Sequence, residues 1–424
     1  MTLRSSNILS ISFLILLVVS QSVAQDAEVS FSYNKDLRSY EVYDSRNYMT
    51  GDWGGFRSRL NELGITPIAR YYTTVLGNPV GGEKKGVQYA GLLNAYLKFD
   101  LEKLLHIKRT KFIISGSWAS GRSLSEDDIG NFFSVSNIFS GRTVRLYQLI
   151  LESELVENVL RVAVGRMGIG DEFGMSANFS NYISFAIDYN PVSLPLNDAG
   201  FLSNPLASWA ARVRINPAKN FQILAGAYNS NPGVGRGRAN GVDFSFNDGL
   251  IFIAELGYMP NLDFGSKSLS GSYKFGAFYA NRKFDELSNE SEKQKGNYSL
   301  YWILEQMIYR ETAQDDQGLT PWAVLTISPD ENINTFPFFV SGGFVYRGLL
   351  PNRNDDNAAF GFAYGSISDE LEDKDYELML ELTYIIQATP WLQIQPDVQW
   401  IVHPGGSSDI PNAVVVGAQL AVDI

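Results

Sequence analysis

Near the end of the chain, Gln393, Gln395, Asp397 and Gln399 recur at every second position, while Leu392, Ile394, Val398, Trp400 and Val402 occupy the alternate ones. Amides and a carboxylate donate and accept many hydrogen bonds, yet with no nucleophile beside them they do no covalent chemistry. Such a comb suits water or a hydroxyl-rich partner. Arg70, Tyr72, Tyr96, Lys98, Arg145, Tyr147, Arg212, Arg214, Glu255, Lys274, Glu377 and Glu381 fall on the polar parity of other strand-like segments. Together they offer fixed donors, acceptors and aromatic faces able to replace a hydroxyl's water shell or stack on C–H groups. The same residues also fit a plain solvated wall whose members pair with one another.

Catalysis has little to work with. Lipase- or protease-type barrels need a histidine beside a nucleophile or acid. Only His106 and His403 exist, in segments that fall at opposite ends of a barrel, and His403 near Asp397 and Ser407 is the one arrangement to weigh. The absence of cysteine removes disulfides and thiolate metal sites. The run 233-GVGRGR-238 follows no strand-to-helix unit, so it makes a poor nucleotide loop. Asp355–Asp356 and 369-DELEDKD-375 could bind calcium weakly, although solvated loop charge accounts for them. Neither a cofactor nor a metal is implied. A formal charge of −12 argues against nucleic acid and against a polybasic membrane-surface binder.

The elements that position these groups are strands. In 376-YELMLELTYIIQ-387, Tyr376, Leu378, Leu380, Leu382, Tyr384 and Ile386 oppose Glu377, Glu381, Thr383 and Gln387. In 209-WAARVRIN-216, Trp209, Ala211, Val213 and Ile215 oppose Arg212, Arg214 and Asn216. The last segment sets Val414, Val416, Ala418, Leu420, Val422 and Ile424 against Gln419 and Asp423. From residue 66 onward about sixteen such segments approach the length a tilted membrane strand needs. Two, 142-RTVRLYQLILES-153 and 298-YSLYWILEQMIY-309, mix residue types on both faces. Aromatic residues at 13% and 38 glycines fit many short strands with tight turns.

Connections alternate in length, short at 155–158, 216–219 and 387–390, long at 167–207, 230–249, 281–297 and 403–411. That asymmetry is the mark of a transmembrane antiparallel β-barrel with periplasmic turns and outer loops, and a soluble sandwich has no reason for it. Charges also avoid the apolar parity, as a lipid-facing surface requires. Pro396 cannot donate to a ladder and a closed ring has no edge to hide it, so a local bulge is expected there.

Arg4, 8-ILSISFLILLVVS-20 and 22-SVA-24 have the three parts of a secretory signal, so residues 1–24 are expected to be removed on export. An uncleaved anchor is the alternative, though the run is short for a span. Residues 25–65 form a leader and a short periplasmic helix in 51-GDWGGFRSRLNELGI-65, with Asp52 as cap, Phe56, Leu60 and Leu63 on one face, and Gly64 at its end. The helix suits either the channel mouth or a cap over the first strand. The barrel is assigned to residues 66–424.

The longest connection, 170–205, carries Phe173, Phe179, Tyr182, Phe185 and Tyr189, too apolar for a disordered tail. It is expected to fold into the lumen with Asp171, Glu172 and Asp188 facing water; an external lid is the alternative. Trp118, Trp209 and Trp391 read as interfacial girdle residues.

The chain resembles the carbohydrate-selective porins of the OprB family. The resemblance lies in 51-GDWGGFRSRLNELGI-65, 76-LGNPVGG-82, 89-YAGLLNAYLKFDLEKLL-105, 165-GRMGIGDEF-173, 302-WILEQMIYR-310, 347-RGLLPNRNDD-356 and 376–406. It implies a sixteen-stranded barrel in the outer membrane of a Gram-negative-type bacterium, surrounded by lipid and passing small sugars inward, in the simpler form of the family without an added N-terminal domain. General porins are trimers and OprB-type channels resemble monomeric ones, so a homo-oligomer stays open. A general non-selective pore is the nearest alternative, and a barrel enzyme a more distant one.

Overall fold

The computed structural model describes residues 44–424, apart from 232, 234–240, 242, 244, 246–248 and 266. The expected signal at 1–24, the leader up to 43 and most of the 233–238 run lie outside the described residues.

The alternating segments form a ring. Its strands are β1 (Ile65–Val80), β2 (Val87–Asp100), β3 (Thr110–Gly121), β4 (Thr143–Val156), β5 (Leu160–Met167), β6 (Ser208–Ala218), β7 (Phe221–Asn229) and β8 (Leu250–Tyr258). They continue as β9 (Lys267–Asp285), β10 (Lys293–Gln306), β11 (Gly318–Ile327), β12 (Phe338–Arg347), β13 (Asn357–Ser366), β14 (Tyr376–Thr389), β15 (Leu392–Val402) and β16 (Ala413–Asp423). Each pairs antiparallel with the next, and β1 pairs with β16 from Arg70↔Asp423 to Val80↔Val414, which closes the sheet. Two short strands, Asn261–Phe264 and Tyr309–Arg310, extend hairpins at one rim. Closure leaves no open edge, a condition lipid imposes on any spanning sheet.

The outer parity is exposed and greasy all round. Leu97, Trp118, Val144, Leu151, Val164, Ile223, Phe252, Leu256, Leu304, Phe344, Leu382, Val398, Trp400 and Leu420 are all exposed. An apolar belt of that extent has no place in water and matches hydrocarbon. Aromatic pairs such as Phe221–Tyr258, 4.6 Å apart, and Tyr364–Tyr376, 5.4 Å apart, lie near the strand ends.

Several local expectations change. The long connection expected at 281–297 shrinks to 286–292, because β9 and β10 continue past it. Pro396 causes no bulge: it faces Ala418 in an unbroken β15–β16 register, and the Thr383 hydroxyl donates to its carbonyl at 3.0 Å. The irregularity falls instead at Gln387–Thr389.

The helix before the barrel also differs from its pattern. A 3-10 turn, Trp53–Gly55, leads into α1 (Phe56–Glu62), and Gly64 follows at φ +93°. Asp52 accepts from the Ser58 amide at 2.8 Å, yet Phe56 and Leu63 are exposed rather than packed. The buried residue is Arg57. Its guanidinium lies over Tyr48 at 3.8 Å and Trp53 at 4.2 Å, and donates to the Ile424 carbonyl at 2.7 Å. Met49 adds a backbone bond to Asp423 at 2.8 Å. The segment therefore clasps the last strand to the first.

At the same rim, Asp356 staples the 348–356 turn to β14. It accepts from Arg353 at 2.7 and 2.8 Å, from the Tyr384 hydroxyl at 3.0 Å and from the Gln387 amide at 3.0 Å, while Asp355 accepts from Arg347 at 3.0 Å. Burial works against ionisation of Asp356, but the Arg353 guanidinium, the Gln387 amide and the Tyr384 hydroxyl hold its carboxyl below the usual carboxylate range.

Arg57→Ala should lower the stability of the detergent-solubilised barrel by about 2 kcal/mol, read as a drop in Tm, with Arg57→Lys recovering only part of it. For Asp356, the folded carboxyl loses its proton more readily than the unfolded one. Its contribution is complete above the ordinary Asp range and fades as pH falls through the lowered value. The gap in Tm between wild type and Asp356→Asn should therefore narrow as pH falls below the ordinary Asp range; a gap independent of pH would refute the ionic staple.

Candidate functional site

The connection between β5 and β6, residues 168–207, crosses the inside of the ring. It leaves from one side of the wall and bonds to strands on the other. Ile183 and Ser184 donate backbone N–H to Glu381 of β14 at 2.6 and 3.2 Å, and Asn181 accepts from Gln395 of β15 at 2.9 Å. Gly174 donates to Glu255 of β8 at 2.8 Å, and Met175 accepts from Lys274 of β9 at 2.7 Å. Ser193 meets Thr326 of β11 at 2.6 Å. These attachments place the connection within the lumen rather than over it as a lid.

A second connection, 122–142, folds in beside it. Glu377 accepts from the Phe132, Phe133 and Gly405 amides at 2.9, 2.6 and 2.7 Å, and Gln399 donates to the Val135 carbonyl at 2.9 Å. The two segments pair with each other through Asn137 N–H to the Ile183 carbonyl and Phe185 N–H to the Ser134 carbonyl. The aromatic run in 124–139 was the available signal for this second fold, but its shorter gap between strands hid it.

Inside, the two segments bury an apolar cluster that includes Phe133, Phe179, Tyr182, Ile187, Trp322 and Phe336. Tyr182 donates to the Phe360 carbonyl at 2.9 Å and accepts from the Trp322 indole at 3.0 Å. Glycines in the wall admit this packing. A Cβ on Gly361 would lie 2.7 Å from Ile187 Cδ1, and one on Gly365 would lie 2.6 Å from Phe336 Cδ1. A bulge in β4 turns both Tyr147 and Gln148 inward, since its register with β3 shifts between Ile114 and Gly116.

A charged row occupies the wall of β3, β4 and β6. Lys111 pairs with Glu152 at 2.8 Å, Arg212 bonds Glu152 and Glu172, and Arg214 bonds Glu172. Arg145 donates to the Ser140 carbonyl at 3.1 Å. Across the β1–β16 seam, Arg70 donates to Gln393 at 2.8 Å and lies 3.4 Å from Asp423, with its guanidinium 5.1 Å from the Tyr72 ring. Tyr96 accepts from Asn204 at 3.5 Å, and Lys98 is half-buried nearer the short-turn rim.

The residues singled out from the sequence thus divide into two groups. Glu255, Lys274, Glu377, Glu381, Gln395 and Gln399 hold loop backbone, and Asp397 accepts from Gln399 at 2.8 Å. Arg145 holds loop backbone too, at Ser140, while Arg70, Arg212, Arg214, Gln393 and Tyr96 belong to side-chain networks on the remaining wall. Asp171, Glu172 and Asp188 do not face water as expected. Tyr147 and Gln148 bond Asp171, the two arginines bond Glu172, and Asn137 donates to Asp188 at 2.5 Å. Glu152 and Lys111 were missed, Glu152 because its segment showed no clean alternation. His106 and His403 stand at opposite rims, and His403 stacks on Tyr376 at 4.5 Å. Of the tryptophans, Trp118 is exposed, while Trp209 and Trp391 are half-buried, with Trp209 donating to the Asp243 carbonyl at 3.0 Å.

A closed sixteen-strand barrel with a greasy exterior and loops anchored inside defines an outer-membrane diffusion channel. The model of the carbohydrate-selective porin, OprB family, matches residues 84–423, and the chain belongs to that family. Porin B of Pseudomonas aeruginosa is 27% identical to it over 422 residues, spanning 88% of this chain and 90% of that one. The high-pH structure of OprB from Pseudomonas putida superposes with a TM-score of 0.83 at 25% identity, covering 90% of this chain and 99% of that one. The low-pH structure of the same protein gives 0.61 at 22% identity, with 90% and 100% covered. The chain is accordingly a channel rather than an enzyme, and its place is the Gram-negative outer membrane.

Glu381→Ala leaves the Ile183 and Ser184 amides without their acceptor. Each orphaned group costs about 1–3 kcal/mol. The variant should melt earlier and show higher single-channel conductance as the segment loosens, with Glu381→Gln in between. Unaltered conductance would show that this anchor does not set the pore width.

Proposed function

We propose that small neutral sugars diffuse passively through the part of the lumen that the clamped loops leave filled with water. The closed barrel carrying loops fixed across its interior, in a chain of this family, is the observation that carries the reading. A ring of sixteen strands is wide enough to leave an aqueous channel, and the infolded segments narrow it. A sugar is neutral, so discrimination rests on hydrogen bonds and ring contacts rather than on net field. Arg212 and Arg214 alternate with Glu152 and Glu172, so donors and acceptors are interleaved while most of the charge cancels along the row. Arg145, Arg70, Gln393 and Tyr96 extend the polar contacts away from it.

On this reading Glu255, Glu377, Glu381, Gln395 and Gln399 act on permeation by fixing loop position, and Arg212 and Arg214 act on it through the polar row they hold with Glu152 and Glu172. Residues 1–24 serve as a cleaved export signal, lipid surrounds the belt, and the acidic surface has no role for nucleic acid.

Planar-bilayer recording and liposome swelling test the function together. Neutral monosaccharides should enter liposomes several-fold faster than amino acids of similar size, and one of them should block ion current at millimolar concentration. Arg214→Ala should weaken that block by about ten-fold, the loss of one or two charge-assisted hydrogen bonds. Current without block, and entry ranked by size alone, would identify a general pore; silence in the bilayer would remove the channel reading.

A further inference from the structure

The outer wall carries a feature that permeation does not use. Where β1 and its neighbours β2 and β16 approach the long-loop rim, an apolar groove of about 510 Å³ is lined chiefly by Val75, Gly77, Pro79, Val87, Val416 and Lys85. The β1–β16 register breaks between Gly77 and Val80. Gly77 stands opposite Val416 on one side and Val87 on the other, and puts no side chain between them. Val75, Val87 and Val416 are exposed, so the groove opens onto the apolar belt and continues the lipid-facing surface.

One side chain in this lining is charged. Lys85 belongs to the turn joining β1 to β2, beyond the strand ends, and is exposed. Its neighbour Lys84 is also exposed, with its ammonium 3.8 Å from Asp128. Glu83 lies against Gly130, where a Cβ would meet its carboxylate oxygen at 2.7 Å. Among the described ion pairs Lys85 has none. An open apolar groove continuous with the membrane belt, with an exposed ammonium just beyond the strand ends, suits an acyl chain joined to a phosphate.

We propose that this groove seats one acyl chain of a phosphate-bearing lipid of the outer leaflet, with Lys85 holding the phosphate. A second copy of the chain fits less well. Two-fold pairing through this patch would bring the Lys84–Lys85 turns of both copies together, and like charges across an interface repel. The site is separate from sugar passage, since Val75, Val87 and Val416, which flank it, are exposed on the lipid-facing side.

The test uses the purified full chain in detergent with a hexa-acylated, bis-phosphorylated lipid A added, analysed by native mass spectrometry. The wild type should keep one lipid A after milder activation has stripped the rest. Val416→Trp, which fills the groove, and Lys85→Glu, which reverses the charge on a turn outside the sheet, should each cut the retained fraction about ten-fold. Lys85→Arg should keep it, and dephosphorylated lipid should be lost as readily from the wild type as from Lys85→Glu. Bilayer conductance should stay at the wild-type level in all three variants. Equal retention by wild type, Val416→Trp and Lys85→Glu would overturn the proposal. So would a dimeric mass that Val416→Trp converts to monomer without lipid, which would give the groove to a second copy.

Discussion

A loop folded into a barrel takes its backbone N–H and C=O groups with it, and each must find a partner away from bulk water. The organisation of this lumen follows from how that requirement is met. Strands supply fixed side chains that reach inward to the loop backbone: Glu381 to the 183–184 amides, Glu377 to those of 132, 133 and 405, Glu255 to that of 174, and Gln395, Gln399 and Lys274 to carbonyls. A carboxylate suits the task because its two oxygens accept from consecutive amides at once. The loop in turn buries its aromatic residues against the wall, so hydrogen bonding sets its position and apolar packing supplies much of its stability.

The barrel consequently has two different inner faces. On the side of β8 to β15 the wall meets packed protein. On the side of β3 to β6 it meets the same connections through polar and charged side chains, Tyr147 and Gln148 on Asp171 and Arg212 and Arg214 on Glu172. Met379, Tyr301 and Ile303 point inward and are fully buried, which a uniformly wet lumen would not favour. They are matched to the greasy surface of the infolded segments.

This division explains what could be read from the amino-acid order. Strand number, closure and the alternation of short and long connections follow from local periodicity and turn residues, and these were legible. So was the inward course of the 170–205 connection, from its length and aromatic content. The partners of the polar comb were not. Parity tells which face Glu377 or Gln399 occupies, but whether water, a permeant or a peptide amide lies opposite depends on residues more than two hundred positions away. The blurred segments 142–153 and 298–309 are blurred for physical reasons. A bulge turns neighbouring residues inward in the first, and inward apolar residues face packed protein in the second. Strand ends at 285 and 293 were missed because polar residues above the membrane continue a ladder as readily as a loop. The mismatch of Phe56 and Leu63 with any buried face shows that amphipathic spacing alone does not identify what a helix grips.

Arg57 bears on how the cylinder can come apart. A closed sheet has no natural place to begin peeling, except where the chain's two extremes are zipped together without a covalent turn. The guanidinium hook onto the Ile424 carbonyl sits at that junction, braced between Tyr48 and Trp53. Any unzipping that starts there must first draw a buried cation out from between two rings. A clasp of this kind slows escape from the native state more than it hastens arrival, because it can form only after the final strand has found the first.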